Sequence, residues 1–252
     1  MRWSLIAIGI LVSGCDHTPT ITTNDVGGDP LFNKAVAAIQ AGNFTELSDL
    51  LKQHPYLANA RDSQRSSQGG LKQQPRSLLH VLAEPPAHRL KRTQTADALI
   101  RAGCDINGRL HYSHGETPLH WAASSGDVEL IMILIQHGAS VDSDGGSIDR
   151  GTPLVNAIYY GHTAAAQALL DNNATIYNFP IAAGLGRADV MQQFIHMGQL
   201  QPSAAKRYPS DSIKHSLSRS DVVKVYQKAF IYAVFNHQFT IADDLLKLGV
   251  NI

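Results

Sequence analysis

The sequence predicts an all-α fold: a solenoid of about six helix pairs, with short hairpin fingers and two or three long insertions. Three observations predict it. The stretch "TPLHWAASSG" at 117–126 returns as "TPLVNAIYYG" at 152–161, an offset of 35 residues. Turn-forming residues recur in pairs twelve positions apart along the chain. Apolar residues between these markers fall at helical spacing.

The chain opens "MRWSLIAIGILVSGCDHTPT". Arg2 is a lone positive charge, and the apolar run from Trp3 to Val12 is too short for a bilayer, which needs about 20 such residues. The run fits the apolar region of a secretory signal peptide. Val12, Ser13, Gly14 and Cys15 resemble the lipobox of bacterial lipoproteins. That resemblance implies cleavage before Cys15 and a lipid anchor on its thiol. With Asp16 next in line it implies the periplasmic side of the inner membrane, the outer membrane being the alternative. Residues 16–30, polar and rich in Thr, Gly and Pro, read as a flexible tether. The expected organisation is a signal peptide at 1–14, a lipidated tether at 15–30 and a repeat domain at 31–252.

Within the domain the third unit is the clearest. Thr117 caps a helix with its hydroxyl, and Pro118 suits the first helical position, where no N–H is needed. Leu119, Ala122 and Ala123 share one face, small Ala letting a neighbouring helix come close. Gly126 supplies a left-handed turn. Val128 to Gln136 forms a second helix, which Gly138 ends. The fourth unit repeats this with Thr152, Pro153, Leu154, Ala157 and Gly161. The twelve-residue interval joins Gly42 to His54, Lys91 to Gly103, Gly126 to Gly138, Gly161 to Asn173, Gly186 to Gly198 and His237 to Gly249. The units are thus expected at about 31–62, 77–107, 115–142, 151–177, 178–198 and 221–252. Polar insertions interrupt them at 61–76, 84–95 and 199–220. The link before unit five is too short for a finger, and 221–235 extends the first helix of unit six.

The pattern Thr117-Pro118-Leu119-His120, with Ala122 two residues on, resembles the signature of the ankyrin repeat. "SLLHVLA" at 77–83 shares its outline through Leu79 and His80, while Val155 replaces the His in unit four. The resemblance implies that Thr117 and His120 tie a turn to a helix by hydrogen bonds. It also implies that finger tips and the exposed side of each first helix bind a partner. The positions so marked are Tyr159 and Tyr160, Tyr112 and His111, Glu116, Ser124 and Ser125, Gly184 and Leu185, and Phe235 and Asn236.

Lys+Arg and Asp+Glu number 21 each, so nothing favours nucleic acid. Two cysteines cannot make a disulfide framework. Cys104 has no neighbouring base and reads as a packed small residue. His111 and His114 read as a finger tip, since zinc sites need three or four ligands. The run His88-Arg89-Leu90-Lys91-Arg92 reads as a solvated insertion. The function expected is a non-enzymatic, membrane-tethered, monomeric protein-binding module of the periplasm, without cofactor or metal. One alternative is an immunity protein that neutralises a toxin delivered into the periplasm. Another is a small enzyme or metal-handling protein using the 199–220 insert or the His111/His114 cluster.

Overall fold

The computed structural model describes residues 29–62, 75–84, 91–110, 115–213 and 215–248. The lipobox, the tether as far as residue 28, the 85–90 part of the basic insertion and the finger tip with His111, Tyr112 and His114 lie outside the described residues. Among the described residues twelve α-helices form six consecutive pairs. They are α1 (Pro30–Ala41) with α2 (Phe44–Gln53), α3 (Leu78–Ala83) with α4 (Arg92–Arg101), and α5 (Pro118–Ser124) with α6 (Val128–Gln136). Then come α7 (Pro153–Tyr159) with α8 (Thr163–Asp171), α9 (Phe179–Gly184) with α10 (Ala188–Met191), and α11 (Arg219–Phe235) with α12 (Phe239–Lys247). Among the described residues no helix is long and apolar enough to cross a membrane.

Each pair exists because the chain has a reason to start and a reason to stop. Pro30, Pro118, Pro153 and Pro180 stand in the first turns of their helices, where a missing N–H is harmless. Asn43 and Asp127 cap α2 and α6 by accepting from Glu46 N–H and Leu130 N–H. The first helices of five pairs give way at a residue of positive φ, Gly42, Gly126, Gly161, Gly186 and His237, whereas α3 ends at Glu84 with φ −64° and the positive-φ Lys91 stands immediately before α4. Gly103, Gly138 and Asn173 do the same after α4, α6 and α8. Such backbone is nearly free for Gly and strained for branched side chains.

Two markers behave otherwise. His54 has φ −134°, because Pro55 follows it and forbids the helical turn, so the chain passes into a 3₁₀ turn at Pro55–Asn59. Gly198 lies in a hairpin turn with Met197, both at positive φ, between β3 (Ile195–His196) and β4 (Gln199–Leu200). The second helix of unit five therefore stops at Met191 and ends in a 3₁₀ turn. The polar stretch 61–76 is also anchored: β1 (Arg61–Asp62) pairs antiparallel with β2 (Arg76–Ser77) at its base.

The first helices of units one to four pack side by side, as do the second helices. Leu79, Leu119 and Leu154 are buried, as are Ala83, Ala122, Ala123 and Ala157 on the same helices. One apolar cluster runs through these four units. A second gathers Phe179, Phe194, Leu200, Ala204, Ala229 and Leu245 around units five and six. Regular stacking breaks between the two. Helix α11 lies along α9 and also reaches α7 of unit four. The small residues of α9 allow this: a Cβ on Gly184 would meet Ile158 at 2.6 Å and Tyr232 at 3.0 Å.

Candidate protein-binding surface

The polar residues of the signature are spent inside the scaffold. His120 is fully buried; its Nδ1 accepts from Thr117 N–H at 3.1 Å and lies 3.0 Å from the Thr117 hydroxyl. Its Nε2 reaches the Gly151 carbonyl oxygen at 3.2 Å, in the finger that leads to unit four. The ring must therefore donate from Nε2 and accept at Nδ1. His80 repeats the arrangement, with Nδ1 at 2.8 Å from the Ser77 hydroxyl and Nε2 at 3.2 Å from the Glu116 carbonyl oxygen. Each imidazole thus ties its own turn and the next finger together. Burial pushes His80 down to about 3 and His120 to about 4, so both are neutral in neutral solution.

Glu116, expected on the surface, is buried. Its Oε1 accepts from Ser147 N–H at 2.8 Å and Asn156 Nδ2 at 3.1 Å, and its Oε2 from Trp121 Nε1 at 3.1 Å. Burial works against the carboxylate, but the Ser147 and Asn156 bonds outweigh it and hold the carboxyl below its ordinary value. Asn236 is likewise buried, donating to Ile158 O at 2.7 Å and Tyr232 O at 2.8 Å. Both corrections have one cause: a position exposed in an isolated pair is covered when another unit docks, the following one for Glu116 and unit four for Asn236. Ser124 and Ser125 are half-buried and turned to backbone oxygens, those of His120 and Ala122. Leu185 is half-buried and Gly184 is buried. In the basic run, Arg92 is buried and ion-paired with the equally buried Asp127. Cys104 is half-buried, and burial pushes its thiol up to about 12.

The surface that remains is aromatic. Tyr159 and Tyr160 end α7 at 36% and 50% exposure, and Phe235 ends α11 at 46%. The Tyr159 ring meets Tyr160 at 5.1 Å, Phe235 at 6.0 Å and Tyr232 at 6.4 Å, each edge to face. Tyr160 stacks on His162 at 6.3 Å. Two adjacent aromatic residues before a left-handed Gly cannot both turn inward, which is why this edge was readable in unit four. Its completion by unit six was not. Phe239, 63% exposed at the start of α12, was missed, although it stands two residues after the His237 turn, where Val128 follows Gly126.

The same region carries a clasp between distant units. Lys228 pairs with Asp149 of the unit-four finger at 2.6 Å, and the Tyr232 hydroxyl lies 3.4 Å from the same carboxylate. A second series of clasps runs along the stack. Asn59 holds Gly103 O and Asp105 N–H, each at 2.8 Å. Asn107 holds Gly138 O and Ser140 N–H, at 3.1 and 2.8 Å. Asp142 accepts from Thr175 N–H at 3.0 Å. The tail side chains of units one to three thus satisfy the backbone of the unit that follows each. Among the described residues no three His, Cys, Asp or Glu side chains converge as metal ligands would.

The comparisons with known proteins agree with this geometry. A family model described as ankyrin repeats matches residues 79–179 in three copies. Rabankyrin-5 of Mus musculus and Rabankyrin-5 of Homo sapiens are each 35% identical over 88 residues, 31% of this chain. The chain spans 7% of the length of these curated relatives. Ankyrin repeats indicate a protein–protein interaction module. The recurrent helix pairs, the Thr–His ties and the matched span give this chain an ankyrin-type repeat fold, with the family's own repeats at residues 79–179.

Proposed function

We propose that this chain of ankyrin-type repeats is a non-catalytic binding module that captures a protein partner on the aromatic edge formed by Tyr159, Tyr160 and Phe235. One observation carries the reading. The polar set of the repeat signature, Thr117, His120 and Glu116, is consumed by structural hydrogen bonds, whereas the aromatic rings stand exposed. Exposed Tyr on a rigid support is favoured at binding hot spots, because its large ring loses little rotamer freedom on docking.

The lipobox-like start supports a place for the module: anchored through Cys15 and facing the periplasm. Mass spectrometry of the Cys15 peptide from membranes tests the anchor, with an acylated peptide expected. For the binding edge, the full chain is cross-linked in membranes and compared with Tyr160→Ala. A partner lost from the variant while its melting temperature is retained supports the reading. An identical set of cross-links, or turnover of a substrate abolished by a single substitution, overturns it.

A further inference from the structure

A groove of about 860 Å³ runs between α2 and α4, away from the aromatic edge. Its walls are one face of each helix: Phe44, Ser48, Leu51 and Lys52 from α2, and Gln94, Asp97, Ala98 and Arg101 from α4, with Ala102 and Pro55 beyond their ends. The turn markers Gly42, Lys91 and Gly126 put Ser48, Asp97 and Met132 at one repeat position, and Ala98 and Ile133 at the next. Small or polar side chains stand in α2 and α4 where α6 carries Met132 and Ile133. The missing side-chain volume is the groove.

Its floor is apolar and its ends are cationic. Phe44 is half-buried, presenting part of its ring, with Leu51, Ala98 and Ala102 along the bottom. Lys91 stands at one end, where α4 begins, and Lys52 and Arg101 stand in the last turns of α2 and α4. The Asn59–Gly103 bond joins the tails of units one and two, and both cations line the groove, Lys52 also lying 3.7 Å from Asp49. Asp97, the one acid lining the groove, lies 3.6 Å from His137 of α6. The chain as a whole carries 21 cationic and 21 acidic residues, so this cationic framing is local. Pockets of this size, apolar with a few placed polar groups, are the usual form of small-ligand sites.

We propose that the groove binds a long-chain fatty acid, its acyl chain along Phe44, Leu51, Ala98 and Ala102 and its carboxylate on Arg101 and Lys52. A guanidinium fork matches a carboxylate, and the Lys and Arg stems extend the apolar wall. The site is separate from the partner-binding edge and does not depend on it.

The test uses the full chain with Cys15→Ser in every variant, so that no acyl group of its own competes. Palmitate, below its micelle concentration, is titrated by calorimetry and by displacement of a fluorescent fatty acid. Micromolar binding is expected, at least tenfold weaker in Ala98→Trp, which fills the groove, and in Lys52→Glu/Arg101→Glu, which inverts its end. Ser48→Met fills it from the other wall and keeps the test open if Ala98→Trp fails to fold. Tyr160→Ala is expected to bind palmitate like the parent, which separates this site from the partner edge. Absence of binding, equal binding by both filled variants, or equal affinity for palmityl alcohol with charge reversal without effect overturns the proposal. So does displacement of palmitate by an acidic amphipathic helical peptide that binds more tightly, since the groove would then be a peptide site.

Discussion

His120 shows how one side chain can specify a join between units. It satisfies the Thr117 N–H on one side and the Gly151 carbonyl on the other while fully buried. Replacing it with Leu leaves the Thr117 N–H dry and unpaired, at about 1–3 kcal/mol, while the Gly151 carbonyl keeps only its bond from Gly146 N–H at 2.9 Å. We expect His120→Leu to lower stability by about 1–3 kcal/mol in urea unfolding. Leu119→Ala, which opens a cavity at a fully buried position, is expected to cost about 2–5 kcal/mol. The histidines also set an acid limit. In the unfolded chain each takes up a proton near about 6.5. In the folded chain burial delays uptake to about 3 for His80 and about 4 for His120. The unfolded state binds more protons between these values, so their contribution is complete above about pH 6.5 and falls as pH drops towards 4. The urea midpoint is expected to fall between about pH 7 and pH 5, by about 2 kcal/mol of stability per histidine. A His80→Gln/His120→Gln variant should lose most of that slope; an unchanged slope would assign it to other groups.

At the scale of the element, turns and helix pairs obey the same rule with different stakes. Gly126 and Gly138 both have positive φ, at +70° and +93°. A Cβ at Gly138 meets nothing within 4 Å, whereas one at Gly126 meets the His162 ring at 2.8 Å. Gly138→Ala should therefore cost only the backbone strain, about 1–2 kcal/mol. Gly126→Ala adds overpacking of about 1–3 kcal/mol, so its thermal midpoint should fall further. Equal shifts would mean that His162 swings aside freely. The helix pairs were legible because Pro at the start, Gly at the turn and Leu and Ala on one face point to the same local answer. His54 and Gly198 were misjudged for a physical reason. A twelve-residue interval registers residue type, but Pro55 and the Met197-Gly198 hairpin set the backbone at those points.

For the whole molecule, the departure is α11. It lies along α9 and fastens to unit four through Asn236 to Ile158 O, Lys228 to Asp149 and the shared Tyr159 ring. Asn236→Ala should cost about 1–3 kcal/mol and hasten hydrogen exchange in α11 while α5 stays protected. Uniform acceleration would show that the six pairs open together. Tyr160→Ala should stay within about 0.5 kcal/mol of the parent, as a surface substitution does, while weakening capture of the partner.

The sequence by itself determined where most helices begin and end, the ends at His54 and Gly198 excepted, which Leu and Ala face inward, and that Thr117 and His120 are joinery. Those properties depend on residues within a turn or two of one another. Only the tertiary structure decided which outward positions stay outward. Glu116 and Asn236 were covered by neighbouring units, Phe239 was left bare, and α11 was brought against unit four. Those outcomes depend on how closely distant helices approach, and that distance is set by side-chain volumes such as those at Gly184 and Ala98, which meet only after the chain has folded.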